Sequence, residues 1–151
     1  MYEIEILSKA GFENVRGEHV HAEILQLGFK DVNKVEYSPL YKIEGQIDAA
    51  QAKTIALELL SDKITEKHRL TKDGVSKKEK ASVIEVWFKK GVTDTVSESV
   101  IKAVKDLGIN NDISVKTGHK YYLYGKISNT VLDKIAAKLL ANTLIQEYKI
   151  K

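Results

Sequence analysis

Cysteine is absent from this chain of 151 residues, and proline, methionine and tryptophan each occur once. Without cysteine there is no disulfide and no thiolate metal site, which fits a reducing compartment, and the expected location is the cytoplasm. Long hydrophobic runs are also missing. No apolar stretch approaches the roughly 20 residues that cross a bilayer, and a secretory leader is not expected because the N-terminus enters an alternating strand pattern at once. Neither sign of charge dominates: Lys and Arg number 24 against 21 Asp and Glu, a net charge of +3 that is too small to argue for nucleic acid. With 43% hydrophobic and 30% charged residues, the composition is that of an ordinary globular protein.

What the chain does have is an internal repeat. Displaced by about eighty residues it aligns with itself without a gap, and roughly sixteen of about seventy aligned positions are identical. The segments EIEILSKAG and VIEVWFKKG coincide, then GEHVHAEILQLG and SESVIKAVKDLG, then YKIEGQID and YYLYGKIS, then TIALELL and KIAAKLL. The repeats are assigned to residues 1–71 and 82–151, with an exposed, lysine-rich linker at 72–81. Each is close to the lower size limit for an independent core, so the two are expected to pack together.

Within each repeat the pattern predicts strand, helix, two extended pieces, helix, strand. Tyr2, Ile4 and Ile6 alternate with Glu3, Glu5 and Leu7, and residues 83–88 of the second copy repeat the pattern with a more apolar far face. Asn14 or Asp94 closes the next loop and can cap a helix, and Thr95 with Glu98 suggests a capping box. Val20, Ile24 and Leu27, and Val96, Val100, Val104 and Leu107, form the apolar face of that helix, which Gly28 or Gly108 stops. The extended stretches 32–47 and 112–127 are interrupted at Ser38-Pro39 and Gly118-His119, which predicts bent strands or a hairpin. Asp48 and Gln51 suggest a capping box before the helical run Ala52 to Leu60, whose twin is Leu132 to Leu140. Final strands are predicted at 64–70 and 144–150. The expected fold is α+β: two ferredoxin-like, two-layer sandwiches in tandem, each with helices on one face of a mainly antiparallel sheet, packed as a pseudo-dimer.

Signatures of catalysis are not found. His19 and His21 stand two apart, on different faces of a helix, and His19, His21, His68 and His119 all map onto non-histidine positions of the other copy, so no metal site is expected. There is no G-x-S-x-G serine, no phosphate loop and no G-x-G-x-x-G, so neither a catalytic residue nor a cofactor site is nominated. Tyr121, Tyr122 and Tyr124 between Lys120 and Lys126 form a tyrosine strip that is read as a partner-packing face rather than a base-stacking platform. The lysines Lys77, Lys78 and Lys80 are read as a solvated linker.

The segment FKKGVTDTVSESVIKAVKDLGI, strand then glycine then an aspartate-capped amphipathic helix ending in Leu-Gly, resembles the small PurS subunit of phosphoribosylformylglycinamidine synthase. The first copy, LSKAGFENVRGEHVHAEILQLGF, is similar and keeps the family's helix-start glycine as Gly17 where the second has Ser97. The ending LLANTLIQEYKI resembles the family's Leu-Leu, Asn-Pro-x-Ile-x-x-Tyr close, with Thr143 in the proline position. The resemblance implies two PurS-like units in tandem, in a noncatalytic component of purine biosynthesis. Its partners would be a large ATP-binding synthetase subunit and a glutaminase subunit, which it would bridge, with no cofactor of its own. Gly91 and Asp94 in the helix-start loop, with Tyr121, Tyr122 and Tyr124, are the expected partner contacts. The rival readings are a ferredoxin-like module that senses a small molecule such as an amino acid, and an RNA-binding module using the tyrosine strip. The covalent tandem is expected to be monomeric.

Overall fold

The computed structural model describes residues 1–73 and 79–151, so Lys77 and Lys78 of the linker lie outside the described residues. The elements are β1 (Tyr2–Ser8), α1 (Val15–Gln26), β2 (Lys34–Gly45), α2 (Ala49–Ile55), β3 (Glu66–Lys72), β4 (Ser82–Phe88), α3 (Thr95–Asp106), β5 (Ile113–Tyr124), α4 (Asn129–Ile135) and β6 (Gln146–Ile150). The strands hydrogen-bond in the order β3-β1-β2-β5-β4-β6. β1 runs antiparallel to β2 and β3, and β4 antiparallel to β5 and β6. The fold is α+β and ferredoxin-like, as the sequence pattern predicts.

Local chemistry explains most of the element ends. Asn14 and Asp94 cap α1 and α3, accepting from the amides of Gly17 at 2.9 Å and Ser97 at 3.0 Å. Because Asp94 takes the cap, Thr95 becomes the first helical residue and the expected Thr95–Glu98 box does not form. The Asp48–Gln51 box does form, with both reciprocal bonds present. Gly28 and Gly108 follow α1 and α3 at φ values of 95° and 90°. Around Gly108 the amides of Gly108 and Ile109 reach the carbonyls of Lys105 and Val104, the paired bonds of a Schellman cap.

Two features differ from the sequence expectation. Each second helix ends in a π-helical turn, Ala56–Leu60 and Ala136–Leu140, which Ser61 and Ala141 close by donating to the carbonyls of Ala56 and Ala136. Each turn opens on a small, fully buried alanine, Ala56 in the core of one cluster and Ala136 in the core of the other. The extended stretches are not hairpins either: β2 and β5 are single strands of 12 residues. Gly118 is no turn residue but a place for Trp87, whose ring would lie 2.6 Å from an added Cβ.

The compact units do not coincide with the sequence repeats. Among the described residues, unit 1 comprises 1–12, 39–73 and 93–117; unit 2 comprises 13–38, 79–92 and 118–151. In unit 1, Ile4, Ile6, Ile43, Ile55 and Ala56 from the first repeat pack with Val100, Val104 and Val115 from the second. In unit 2, Ile84, Val86, Tyr121, Leu123, Leu132 and Ile135 from the second repeat pack with Ile24, Val32 and Val35 from the first. Each repeat thus lends its first helix to the core of the unit built on the other repeat's strands. β2 and β5 change unit at Ser38/Pro39 and Thr117/Gly118, the two places where the sequence pattern breaks.

Candidate functional site

Unit 2 holds a cluster of one cationic and three aromatic side chains at the start of α1. Asn14 fixes the geometry. Its Oδ1 accepts from Gly17 N and, at 3.1 Å, from Tyr37 N, while its Nδ2 donates to the Tyr37 carbonyl at 2.9 Å. One side chain therefore clamps the helix start to β2. Gly17 permits the approach, since a Cβ there would collide with the carbonyl of Val35.

On this clamp the exposed Arg16 lays its guanidinium carbon 4.3 Å from the centre of the Tyr37 ring and donates from Nη2 to Tyr121 Oη at 3.4 Å. Tyr37 shares a 2.6 Å hydrogen bond between its hydroxyl and His119 Nδ1, and its ring lies 5.3 Å from that of Tyr121. Burial pushes the Tyr121 phenol up, with the Arg16 charge opposing and Glu23 adding to the rise. The phenol therefore remains a neutral acceptor for Arg16. The arrangement holds a permanently charged, bidentate-capable donor on a preset aromatic platform at the surface, suited to an anionic group on a partner.

Unit 1 lacks this cluster. Val96, Thr117, Pro39 and Tyr41 stand where Arg16, Tyr37, His119 and Tyr121 stand in the other repeat. The clamp persists in altered form: Asp94 accepts from Thr117 N at 2.9 Å and from the Thr117 hydroxyl, and the Ser97 hydroxyl donates to the Val115 carbonyl in place of the glycine approach. Two related units thus carry different chemistry at one position. Sequence reasoning passed over Arg16 and Tyr37 because neither belongs to a motif. The available signal was the change of residue type between aligned positions 16 and 96, 37 and 117, and 39 and 119.

The opposite side of the β4–β5 ladder in unit 2 carries a second polar group. Register places Glu85 across from Lys120, Trp87 across from Gly118 and Val83 across from Tyr122, all of them buried. Lys151 Nζ lies 2.6 Å from Glu85 Oε2, and Trp87 Nε1 donates to Oε1 at 3.2 Å. Burial pushes the Glu85 carboxyl up, but the hydrogen bond and charge of Lys151, with Trp87 and Lys120, outweigh it and hold the group below its ordinary value.

The residues expected to contact partners fall in different places. Tyr121 is in the core of unit 2 at 2% exposure, and Tyr122, at 4%, lies beneath the Lys120 ammonium, which is 5.0 Å from its ring centre. Tyr124 is half-buried, with Lys34 Nζ at 5.5 Å from its ring. Gly91 is exposed in unit 2 at a φ of 86°, with open space around it. Asp94 belongs to unit 1, where its carboxylate is occupied by helix capping and Thr117. Among the described residues no group of three or more His, Asp or Glu is placed to hold a metal ion, and no helix is long and apolar enough to cross a membrane.

Residues 81–151 match the PurS family, described as phosphoribosylformylglycinamidine (FGAM) synthase. The second repeat is PurS-like. No curated protein matches the chain. The PurS-like span begins one residue before β4 and runs through α3, β5, α4 and β6 to Lys151. It includes Gly91, Asp94 and the tyrosines of β5, but also α3, whose apolar face completes the core of unit 1.

Proposed function

We propose that this chain is a noncatalytic, docking component of phosphoribosylformylglycinamidine synthase, acting in purine biosynthesis in the cytoplasm. The observation that carries the reading is the PurS match over the second repeat, together with the alignment of the first repeat onto the same pattern. On this reading residues 1–71 and 82–151 are two copies of one PurS-like unit joined by the 72–81 linker. The partners are the ATP-dependent synthetase subunit and the glutaminase subunit, which the chain bridges. Ammonia released into water is protonated and lost, whereas an assembled, water-excluding route keeps it neutral and near its acceptor, so docking itself contributes to turnover.

The asymmetry between the units supports bridging. A homodimer offers two identical surfaces, while a bridge between unlike subunits benefits from two different ones. The Arg16–Tyr37–His119–Tyr121 cluster of unit 2, against Val96, Thr117, Pro39 and Tyr41, supplies such a difference. Of the five expected contact residues, Gly91 and Tyr124 are proposed to meet a partner directly, and the more buried Tyr121 and Tyr122 to position the surface from beneath.

Reconstitution with the synthetase and glutaminase subunits tests the proposal. Glutamine-driven turnover is expected to require the chain, while turnover driven by added ammonium is expected to require it much less. Equal turnover with and without the chain from either nitrogen source, with no co-elution of the three proteins, would overturn it. Thermal stabilisation by a free amino acid would then favour a sensing module.

A further inference from the structure

Ile64 and Leu144 occupy the same position of the two repeats and are the most exposed of the large apolar side chains described, at 75% and 85%. Their sequence pattern suggests the start of a final strand, but each lies on a turn before it. The turns are closely similar. In unit 1, Asp62 Oδ1 accepts from the amides of Ile64 at 2.8 Å and Thr65 at 3.2 Å, and Glu66 Oε1 accepts from Asp62 N at 2.9 Å. In unit 2, Asn142 Oδ1 accepts from Leu144 N at 3.2 Å, and Gln146 Oε1 accepts from Asn142 N at 2.9 Å. The main chain closes both turns, Glu66 N donating to Asp62 O and Gln146 N to Asn142 O.

Each turn is also tied to the loop after the first strand of its unit. Lys9 N donates to Thr65 O at 2.8 Å and Lys89 N to Ile145 O at 2.9 Å. The backbone amides of Ile64 and Thr65 hold the Asp62 carboxyl below the usual carboxylate range, so the first turn is closed by a charged acceptor. Ile64 and Leu144 contribute only a backbone N–H to these networks, and a polar residue would serve the turn equally well. What the side chain adds is an apolar tip on a pre-ordered mount.

We propose that Leu144, with Ile64 as its counterpart, is an anchor that inserts into an apolar socket edged by carboxylates on a folded partner subunit. The inference rests on the docking role proposed above and assigns that role a surface. The chemistry of the socket rim follows from charge. Exposed Lys89 and Lys90 adjoin the Leu144 turn, and the turn itself is built from the neutral Asn142 and Gln146 where unit 1 uses Asp62 and Glu66. A second copy docked through this same turn would bring lysines against lysines, which disfavours a symmetric self-contact. Because the turns are already ordered, little conformational entropy is lost when the tips are covered.

The test uses the full chain immobilised on a sensor surface and titrated separately with purified synthetase and glutaminase subunits. Leu144→Ser is expected to weaken binding of at least one subunit by roughly tenfold, Ile64→Ser plus Leu144→Ser by more, and Leu144→Met to retain it, all with unchanged melting temperature. Lys89→Glu with Lys90→Glu is expected to slow association and reduce its salt dependence. Wild-type affinity of the double serine variant for both subunits would overturn the anchor while leaving the bridging role standing. Failure of the wild-type chain to bind either subunit would overturn both. Self-association abolished by Leu144→Ser would also overturn the proposal, by making a second copy the occupant.

Discussion

At the residue scale, the two repeats solve the same local problems with different side chains. Where α1 approaches β2, Gly17 leaves room for the Val35 carbonyl; where α3 approaches β5, Ser97 fills the room and donates to the Val115 carbonyl. Gly108, by contrast, is fixed by its backbone alone, since no atom lies within 4 Å of an added Cβ but φ is 90°. Gly108→Val is therefore expected to cost about 1–3 kcal/mol through backbone strain, lowering the melting temperature by several degrees, and an unchanged melting temperature would refute the cap. The buried Glu85 gives a pH signature. Its folded pKa lies below the ordinary 4.5, so the stability it contributes is present above that value and is lost as pH falls through the lowered one. In Lys151→Ala the largest interaction opposing burial is gone, and only Trp87 and Lys120 remain to hold the carboxyl down. Thermal melts from about pH 6 down to about pH 3 should then show a flatter acid-side slope than wild type. An unaltered slope would mean that Lys151 does not set the state of Glu85.

At the scale of elements, the exchange of first helices is the main organising fact. Ile24, fully buried, belongs by sequence to the first repeat but packs with Ile84, Val86 and Leu123 of the second; Val104 does the converse with Ile4 and Ile6. Ile24→Ala should cost about 2–5 kcal/mol, and hydrogen exchange should show the loss of protection in β4 and residues 118–124 of β5, with β1 and β3 spared. Loss confined to β1 would contradict the exchange. The amphipathic faces of α1 and α3 were legible from their spacing alone. Their destination was not, because an apolar stripe states that it must be covered and says nothing of which strand covers it. The π-helical turns were hidden for a related reason: a one-residue widening barely alters the apolar spacing that periodicity reads.

At the scale of the molecule, neither repeat contains a complete core. Each compact unit takes its strands largely from one repeat and a helix from the other, so the exchange that would otherwise need two chains is satisfied within one. The full chain is accordingly expected to scatter light as a monomer; a concentration-independent mass of twice the chain would overturn this. Residues 1–73 and 79–151 expressed separately should each fail to fold as monomers, because each would leave its sheet uncovered by the missing helix, and regain structure when mixed. A cooperatively melting, monomeric half would show that the repeats are self-sufficient.

The duplication, the α+β class, the helix caps and stops and the resemblance of the second repeat to PurS are legible along the chain alone, because these depend on the order of neighbouring residues and on short-range backbone preferences. Tertiary structure decided which helix covers which sheet, that β2 and β5 run unbroken past Ser38-Pro39 and Gly118-His119, and that Arg16, Tyr37, His119 and Tyr121 meet. It also turned Ile64 and Leu144 from presumed strand residues into exposed tips. Those outcomes rest on contacts between residues as far apart as Arg16 and Tyr121, and a local pattern carries no record of distant partners because close packing is satisfied only once the whole chain is in place.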